Sequence, residues 1–264
     1  MNAEVWVSFF VFLFGTVIGS FLNVCIYRMP RDISIVTPRS ACPHCKAKIP
    51  WYENIPLVSF LWLRGKCGRC RRPISVSYFL IELVSGILWL GLWRQYGLSA
   101  ELAVNLVFFS LLLVVIVTDF ETGLIPDQIT VSGMIAGLVF SVIGQEHFLQ
   151  AAWYQRLLAS TLGLLGGGGI LLATGWLGKL AFRKDSMGGG DVKLLAMIGA
   201  FIGLKEACLV FLLAPFPALP FALWQRFGKK EETIPFGPFL ALAGALLFMY
   251  AGPIQNLIVK LYGA

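Results

Sequence analysis

Long apolar runs separated by short polar segments set the plan of this chain. Runs carrying one charge or none occupy Val5–Tyr27, Pro73–Trp93, Leu102–Thr118, Gln128–Gln145, Leu157–Gly178, Leu194–Leu204, Ala207–Gln225 and Thr233–Val259. Most reach the ~17–25 residues that a membrane-spanning helix needs. The pattern predicts an all-α polytopic membrane protein with about eight transmembrane helices and one small soluble loop domain. Leu194–Leu204 is the exception, since at about 1.5 Å per residue it covers only roughly 17 Å. Either its helix starts with Asp191 already below the surface or it is a half-span. Both alternatives put Asp191 at or inside the interface.

Composition agrees with that pattern. The 264 residues are 58% hydrophobic and 13% charged, with a mean hydropathy of +0.79. A soluble domain carries about 25% charged residues. The first run lacks the basic start and small-residue cleavage site of a removable signal peptide, so it reads as a permanent helix. The net charge of +7 needs no nucleic-acid partner, because topology explains where the charges lie. The loop from Arg28 to Ser75 carries ten lysines and arginines against two acids, Asp32 and Glu53. With eight spans it shares a side with the turns that hold Arg183, Lys184, Arg226, Lys229 and Lys230. The positive-inside rule puts that side in the cytoplasm and both termini outside.

The long loop contains Cys42-Pro-His-Cys45 and Cys67-Gly-Arg-Cys70, two knuckles with 21 residues between them. This spacing suits a tetrahedral four-thiolate zinc site, each knuckle giving two ligands from a tight turn. A reducing cytoplasm favours a metal over disulfides. A segment this small cannot bury a core, and a metal staple is the usual remedy. Zinc is therefore expected to be structural, held by Cys42, Cys45, Cys67 and Cys70 with no open position. His44 reads as a solvated turn residue, and Cys25 and Cys208, inside spans, as buried apolar thiols.

Two aspartates stand where apolar runs meet polar turns. Asp119 ends the third run, before Ile125-Pro-Asp127, and Asp191 closes Met187-Gly-Gly-Gly-Asp191. Ionisable groups near hydrocarbon are costly and point to function. Carboxylates at two helix ends can meet across a bundle and share one proton, so that one activates water while the other polarises a carbonyl. The glycines before Asp191 allow close approach, whereas the phosphate-loop pattern with its Lys-Ser/Thr is missing. Asp127, after a proline and before an apolar run, reads first as a helix cap. Glu82, about one turn inside the second run, either snorkels or lines a polar cavity. Asp185, in a basic turn, reads as solvated, and Gly166–Gly169 as a site of close helix packing. A transporter coupled through Asp119, Asp191 and Glu82, or an assembly scaffold built on the cysteine loop, remain alternatives at this level.

The order of these pieces resembles the type IV prepilin peptidases. Gly19-Ser-Phe-Leu-Asn23 and Ile26-Tyr-Arg-Met-Pro30 precede the knuckles, which flank Ile49-Pro-Trp-Tyr-Glu-Asn-Ile-Pro56 and Leu63-Arg-Gly-Lys-Cys67. Ile74-Ser75 and Tyr78 then lead to Glu82, and Asp119 to Gly188-Gly-Gly-Asp191-Val-Lys-Leu194, which is similar to the Gly-x-Gly-Asp motif of intramembrane aspartyl proteases. The resemblance implies cleavage of a short basic leader after glycine in prepilins or pseudopilins of type IV pili or type II secretion. It implies Asp119 and Asp191 as the catalytic pair, in a bacterial inner-membrane enzyme. It also implies N-methylation of the new terminus with S-adenosylmethionine, associated with the cysteine loop and the Gly19–Asn23 region, and assigns Glu53 and Asn54 a part in it. A peptidase without methyltransferase activity is the variant reading. Residues 1–27 would then be the first transmembrane helix, 28–76 the zinc loop linked to methyl transfer, and 77–264 the protease core.

Overall fold

A computed structural model describes residues 3–143, 152–183, 187–229 and 235–262. Asp185 and Lys184 of the basic turn, and Lys230, lie outside these residues. Every apolar run forms helix over most of its described residues, and no strand occurs among the described residues, where only the isolated bridges Ala41↔Lys48 and Lys66↔Pro73 appear. The helices are α1 (Ala3–Arg28), α2 (Val58–Trp62), α3 (Val76–Tyr96), α4 (Ala100–Thr122), α5 (Asp127–Ile143), α6 (Trp153–Phe182), α7 (Gly189–Ile202), α8 (Leu204–Leu213), α9 (Pro215–Lys229) and α10 (Gly237–Tyr262).

The eight spans expected are not all matched by full-length apolar helices among the described residues. Five segments among the described residues are long and apolar enough to cross a bilayer: Glu4–Arg31, Val76–Tyr96, Ala100–Thr122, Trp153–Ala181 and Leu204–Gln225. The last of these is built from α8 and α9, which meet at Ala214. α5 is a shorter apolar helix, and α10 loses helical dihedrals at Tyr250. The 14-residue α7 spans only about 21 Å. Its sequence could not say why, but its burial does. Leu194, Leu195, Met197, Ile198, Ala200 and Phe201 are all fully buried, so protein rather than lipid surrounds it and bilayer thickness does not set its length. It begins at Gly189 and has Asp191 in its first turn.

The chain divides into two compact units, Met1–Leu106 and Val107–Ala264. In the first, α1 pairs with α3 through small residues. A methyl group at Gly15 would lie 2.7 Å from Trp89 Cβ, and one at Gly19 would lie 2.8 Å from the Glu82 Cα. Glycine lets the two backbones approach, and polar groups fix the register. The Ser85 hydroxyl donates to the Gly15 carbonyl at 2.8 Å, and the Asn23 amide donates to the Tyr78 carbonyl at 3.0 Å. The outward residues of α1, including Phe10, Phe14, Val17 and Phe21, are exposed and apolar, as expected of a helix bathed in lipid.

In the second unit α7 is the hub, packed by α5, α6, α8 and α10. Gly163 of α6 meets Gly199 of α7 backbone to backbone, and a methyl at Gly167 would lie 2.6 Å from the Leu195 carbonyl oxygen. The expected close packing therefore holds at Gly166, Gly167 and Gly168, while Gly169 has nothing within 4 Å. Stacked rings of Phe108, Phe201 and Phe248, 4.7 and 4.6 Å between centroids, fill the core beside it. At Gly203 the backbone turns with φ +88°, which a side chain would resist, and α8 follows at once.

Candidate functional sites: a four-cysteine knuckle and a carboxylate pair

Each Cys-x-x-Cys pair folds into the same turn, and the second repeats the first residue for residue. The Cys42 N–H donates to Ala47 O at 3.0 Å and Lys46 N–H to Cys42 O at 2.9 Å, just as Cys67 donates to Arg72 O at 2.8 Å and Arg71 to Cys67 O at 3.0 Å. Lys46 and Arg71 both take positive φ, 57° and 60°. The two turns bring all four sulfurs within 4.8 Å of one another, with Cys42 and Cys70 Sγ 3.8 Å apart. A tetrahedron of thiolates with Zn–S bonds near 2.3 Å has sulfur–sulfur edges of about 3.8 Å, so the site fits zinc with four ligands and no open position. As free thiols these groups would ionise one at a time. The Cys42 thiol is drawn down to about 6, first by the Cys45 backbone N–H. The Arg72 backbone favours the Cys70 thiolate, yet burial and hydrogen bonds from the other thiols push it up to about 11. A divalent cation removes that sequence, because it takes all four as thiolates.

His44 is not one of the ligands. It is exposed, and its Nδ1 sits 3.2 Å from an Arg72 guanidinium nitrogen. Cys25 is buried and Cys208 half-buried, both as free thiols.

Between the knuckles Trp51–Asn54 forms a single 3-10 turn. A methyl at Gly68, inside the second knuckle, would lie 2.7 Å from Glu53 Oε1, so the Glu53 carboxylate lies over that knuckle. Asn54, exposed, borders a groove of about 510 Å³ with Ile55, Pro56 and residues of α1. No hydrogen bond or ion pair engages either side chain among the described residues. Glu82 neither snorkels freely nor stands alone in a polar cavity. Its Oε2 accepts the Leu57 N–H at 2.8 Å.

The carboxylates of the second unit are held by helix ends. Asp119, in the last turn of α4, is only 6% exposed. Its Oδ2 accepts the backbone N–H of Gly237, the first residue of α10, at 3.0 Å. Asp191 lies in the first turn of α7. Each carboxylate thus meets a helix N-terminus, where unpaired N–H groups and the dipole favour negative charge. Ile125 joins the two positions. A methyl at Gly237 would lie 2.8 Å from both Asp119 Oδ2 and Ile125 Cδ1, and one at Gly190 would lie 3.0 Å from Ile125 Cβ. Ile125 thus packs beside both the Asp119 carboxylate and the backbone that precedes Asp191.

The glycine pattern acquires a physical meaning here. A methyl at Gly188 would lie 3.1 Å from Asp191 Oδ2, while Gly189 has nothing within 4 Å. Gly-x-Gly-Asp is therefore two crowded glycines around a free position. Gly237 was missed from sequence, and only Pro235-Phe-Gly-Pro238, a helix-opening pattern ahead of an apolar run, signalled it. Asp127 differs from its expected capping role. The Pro126 carbonyl starts α5 by accepting the Ile129 N–H at 3.1 Å, and the Asp127 carboxylate instead receives Lys193 Nζ at 2.7 Å on both oxygens. That pair ties the first turns of α5 and α7.

Two family models match the chain, the bacterial Peptidase A24 N-terminal domain over residues 13–96 and the type IV leader peptidase family over residues 106–223. Three similar proteins bear the name prepilin leader peptidase/N-methyltransferase. The one from Myxococcus xanthus is 40% identical over 91% of this chain and 89% of its own length. Those from Aeromonas hydrophila and Bacillus subtilis are each 34% identical over 95% of this chain, covering 93% and 97% of their own lengths. No solved structure matches the chain. With a family model on each compact unit and relatives similar along almost the whole sequence, the chain belongs to the type IV leader peptidase family.

Proposed function

We propose that this chain is a bacterial inner-membrane enzyme that removes the leader from prepilins or pseudopilins and then methylates the new amino terminus. Cleavage is the work of Asp119 and Asp191. The observation that carries this is that Ile125 packs both against Gly237, whose N–H holds the Asp119 carboxylate, and against Gly190, the residue before Asp191 in the Gly-x-Gly-Asp motif. One carboxylate takes a proton from water as the oxygen attacks the scissile carbonyl, and the other, protonated, hydrogen-bonds the carbonyl oxygen as charge builds there. Collapse of the tetrahedral intermediate breaks the C–N bond, and the departing amine takes a proton from the dyad. The pair acts as a unit, and the two roles are not divided between the residues. The positive-inside rule supports a cytoplasmic site, which suits a substrate whose basic leader lies at the inner surface.

Methyl transfer is assigned to the loop of residues 28–76 and cleavage to the core of residues 77–264, with residues 1–27 as the first membrane helix. Zinc holds the loop through Cys42, Cys45, Cys67 and Cys70. S-adenosylmethionine supplies an electrophilic methyl group. Glu53 and Asn54, whose polar atoms are unengaged, are the residues to hold donor and amine, with the Glu53 carboxylate able to take the proton from the ammonium. A carboxylate-coupled transporter is not favoured, because it leaves the cysteine loop without a role. Neither is a peptidase lacking the transferase, since the matched relatives carry both activities in their name.

The test is intact mass of a pilin precursor incubated with enzyme and S-adenosylmethionine. Wild type is expected to remove the leader and add one methyl, whereas Asp119→Asn and Asp191→Asn leave the precursor whole. Cleavage by both variants would overturn the assignment of the dyad.

A further inference from the structure

Glu82 is a carboxylate inside a membrane helix that the proposed chemistry does not use. It lies in α3 about two turns past the helix start at Val76, and the way it is spent is specific. Pro56-Leu57-Val58 forms a γ-turn. The Val58 N–H donates to the Pro56 carbonyl at 2.6 Å, and Leu57 takes φ 60° and ψ −49°. This positive-φ γ-turn is the rare, strained kind, and a leucine in it must be held by its surroundings. The hold is visible: Glu82 Oε2 accepts the Leu57 N–H at 2.8 Å. Gly19, which admits no side chain, lets α1 press against the Glu82 backbone.

The turn is fixed at its other end by Ser59, which is buried. Its Oγ accepts the Ile55 N–H at 2.9 Å and donates to the Tyr52 carbonyl at 3.0 Å. Glu53 and Asn54 lie between Tyr52 and Ile55, the two backbone groups Ser59 holds, and the Leu57 turn that Glu82 holds follows two residues after Ile55. Glu53 faces the second zinc knuckle, and Asn54 faces the groove walled by Val17, Ser20, Phe21 and Val24 of α1. Val17 and Phe21 are about half exposed on the lipid-facing side of α1, so the groove opens toward the hydrocarbon, where an apolar substrate segment would arrive.

We propose that Glu82 is a positioning residue for methyl transfer, its carboxylate holding the Leu57 γ-turn and thereby setting Asn54 between the zinc knuckle and the α1 groove. The role rests on the reading that Glu53 and Asn54 serve methyl transfer. It acts through a hydrogen bond to backbone, so the accepting oxygen matters and the charge does not. The cleavage carboxylates Asp119 and Asp191 lie in the other compact unit, so leader cleavage does not depend on this turn.

The test compares full-length wild type, Glu82→Ala, Glu82→Gln and Asn54→Ala in detergent. Cleavage, methyl incorporation into a pilin precursor and zinc content are measured on the same preparations. In Glu82→Ala methyl incorporation is expected to fall about fivefold, the fold-change that losing one ordinary hydrogen bond carries. Cleavage and zinc content stay at wild-type values. Glu82→Gln, whose amide oxygen can accept the same N–H, is expected to restore most of the methylation. Wild-type methylation by Glu82→Ala, alongside loss in Asn54→Ala, would overturn the positioning role while leaving the methyl site standing. Joint loss of cleavage, methylation and zinc in Glu82→Ala would reduce the residue to general folding, and failure of Glu82→Gln to rescue would show that charge is required. Unimpaired methylation by Asn54→Ala would sink the assignment of the methyl site itself.

Discussion

The cysteine loop and the carboxylate bundle are ordered by opposite means. The loop has almost no core. Its order comes from two identical turns and a four-sulfur cluster with a 3.8 Å edge, and its polar residues stand in the open. The bundle is ordered by packing, with Leu194–Ile202 of α7 buried and glycines of α5, α6 and α10 set against neighbouring atoms. On the proposed assignment, chemistry in the loop depends on a metal that fixes backbone, whereas chemistry in the bundle depends on spaces too small for a methyl group. The two regions are therefore expected to fail in different ways.

The largest effects fall on the groups that perform each activity. Asp119→Asn and Asp191→Asn are expected to lower leader cleavage by about a thousandfold or more, the upper part of the range for a removed acid or base. Single-turnover cleavage followed by mass would measure it. Next comes the metal. Structural zinc contributes on the order of 10 kcal/mol or more to small domains, so Cys67→Ser or a strong chelator is expected to abolish methylation. Cleavage would be affected far less, and equal loss of both would erase the contrast between the regions.

Smaller effects sharpen the packing half of the comparison. Gly237→Ala forces a methyl to 2.8 Å from Asp119 Oδ2 and Ile125 Cδ1. Overpacking of that kind costs about 1–3 kcal/mol, so cleavage is expected to fall by roughly fivefold to a hundredfold with methylation kept. Gly190→Ala, pressed on Ile125, is expected to follow it, while Gly189→Ala leaves cleavage near wild type. Equal tolerance at Gly189 and Gly190 would contradict the reading of the glycine motif. Smallest is Lys193→Ala, which breaks a pair whose side chains are 42% and 64% exposed. Exposed ion pairs contribute about 0–1 kcal/mol, so a change of a few-fold in cleavage is expected, matched by Asp127→Asn.

The sequence was legible where chemistry is local. Cysteine spacing announced the zinc site because a knuckle is a short turn, and the aspartates stood out because carboxylates are rare beside apolar runs. Long-range packing was not legible in the same way. Leu194–Leu204 read as too short for a span, and only the burial of α7 among α5, α6, α8 and α10 explains how so short a helix is stable. Eight spans were expected because each run was apolar, but apolarity does not distinguish a helix facing lipid from one facing protein. Gly237 escaped notice since its donor reaches Asp119 across more than a hundred residues of chain. Asp127 looked like a cap because a carboxylate after proline commonly is one. Its partner Lys193 lies on another helix, and periodicity carries no sign of such a meeting.

The central claim is that cleavage and methylation are separate activities of one chain. The most direct test gives Asp119→Asn/Asp191→Asn enzyme, loaded with zinc, an already cleaved, unmethylated pilin together with S-adenosylmethionine. The expected result is a mature pilin heavier by one methyl group, made at the wild-type rate by an enzyme unable to cut the precursor. A pilin that stays unmethylated, with the variant folded and its zinc retained, would contradict the account and tie both activities to the carboxylates.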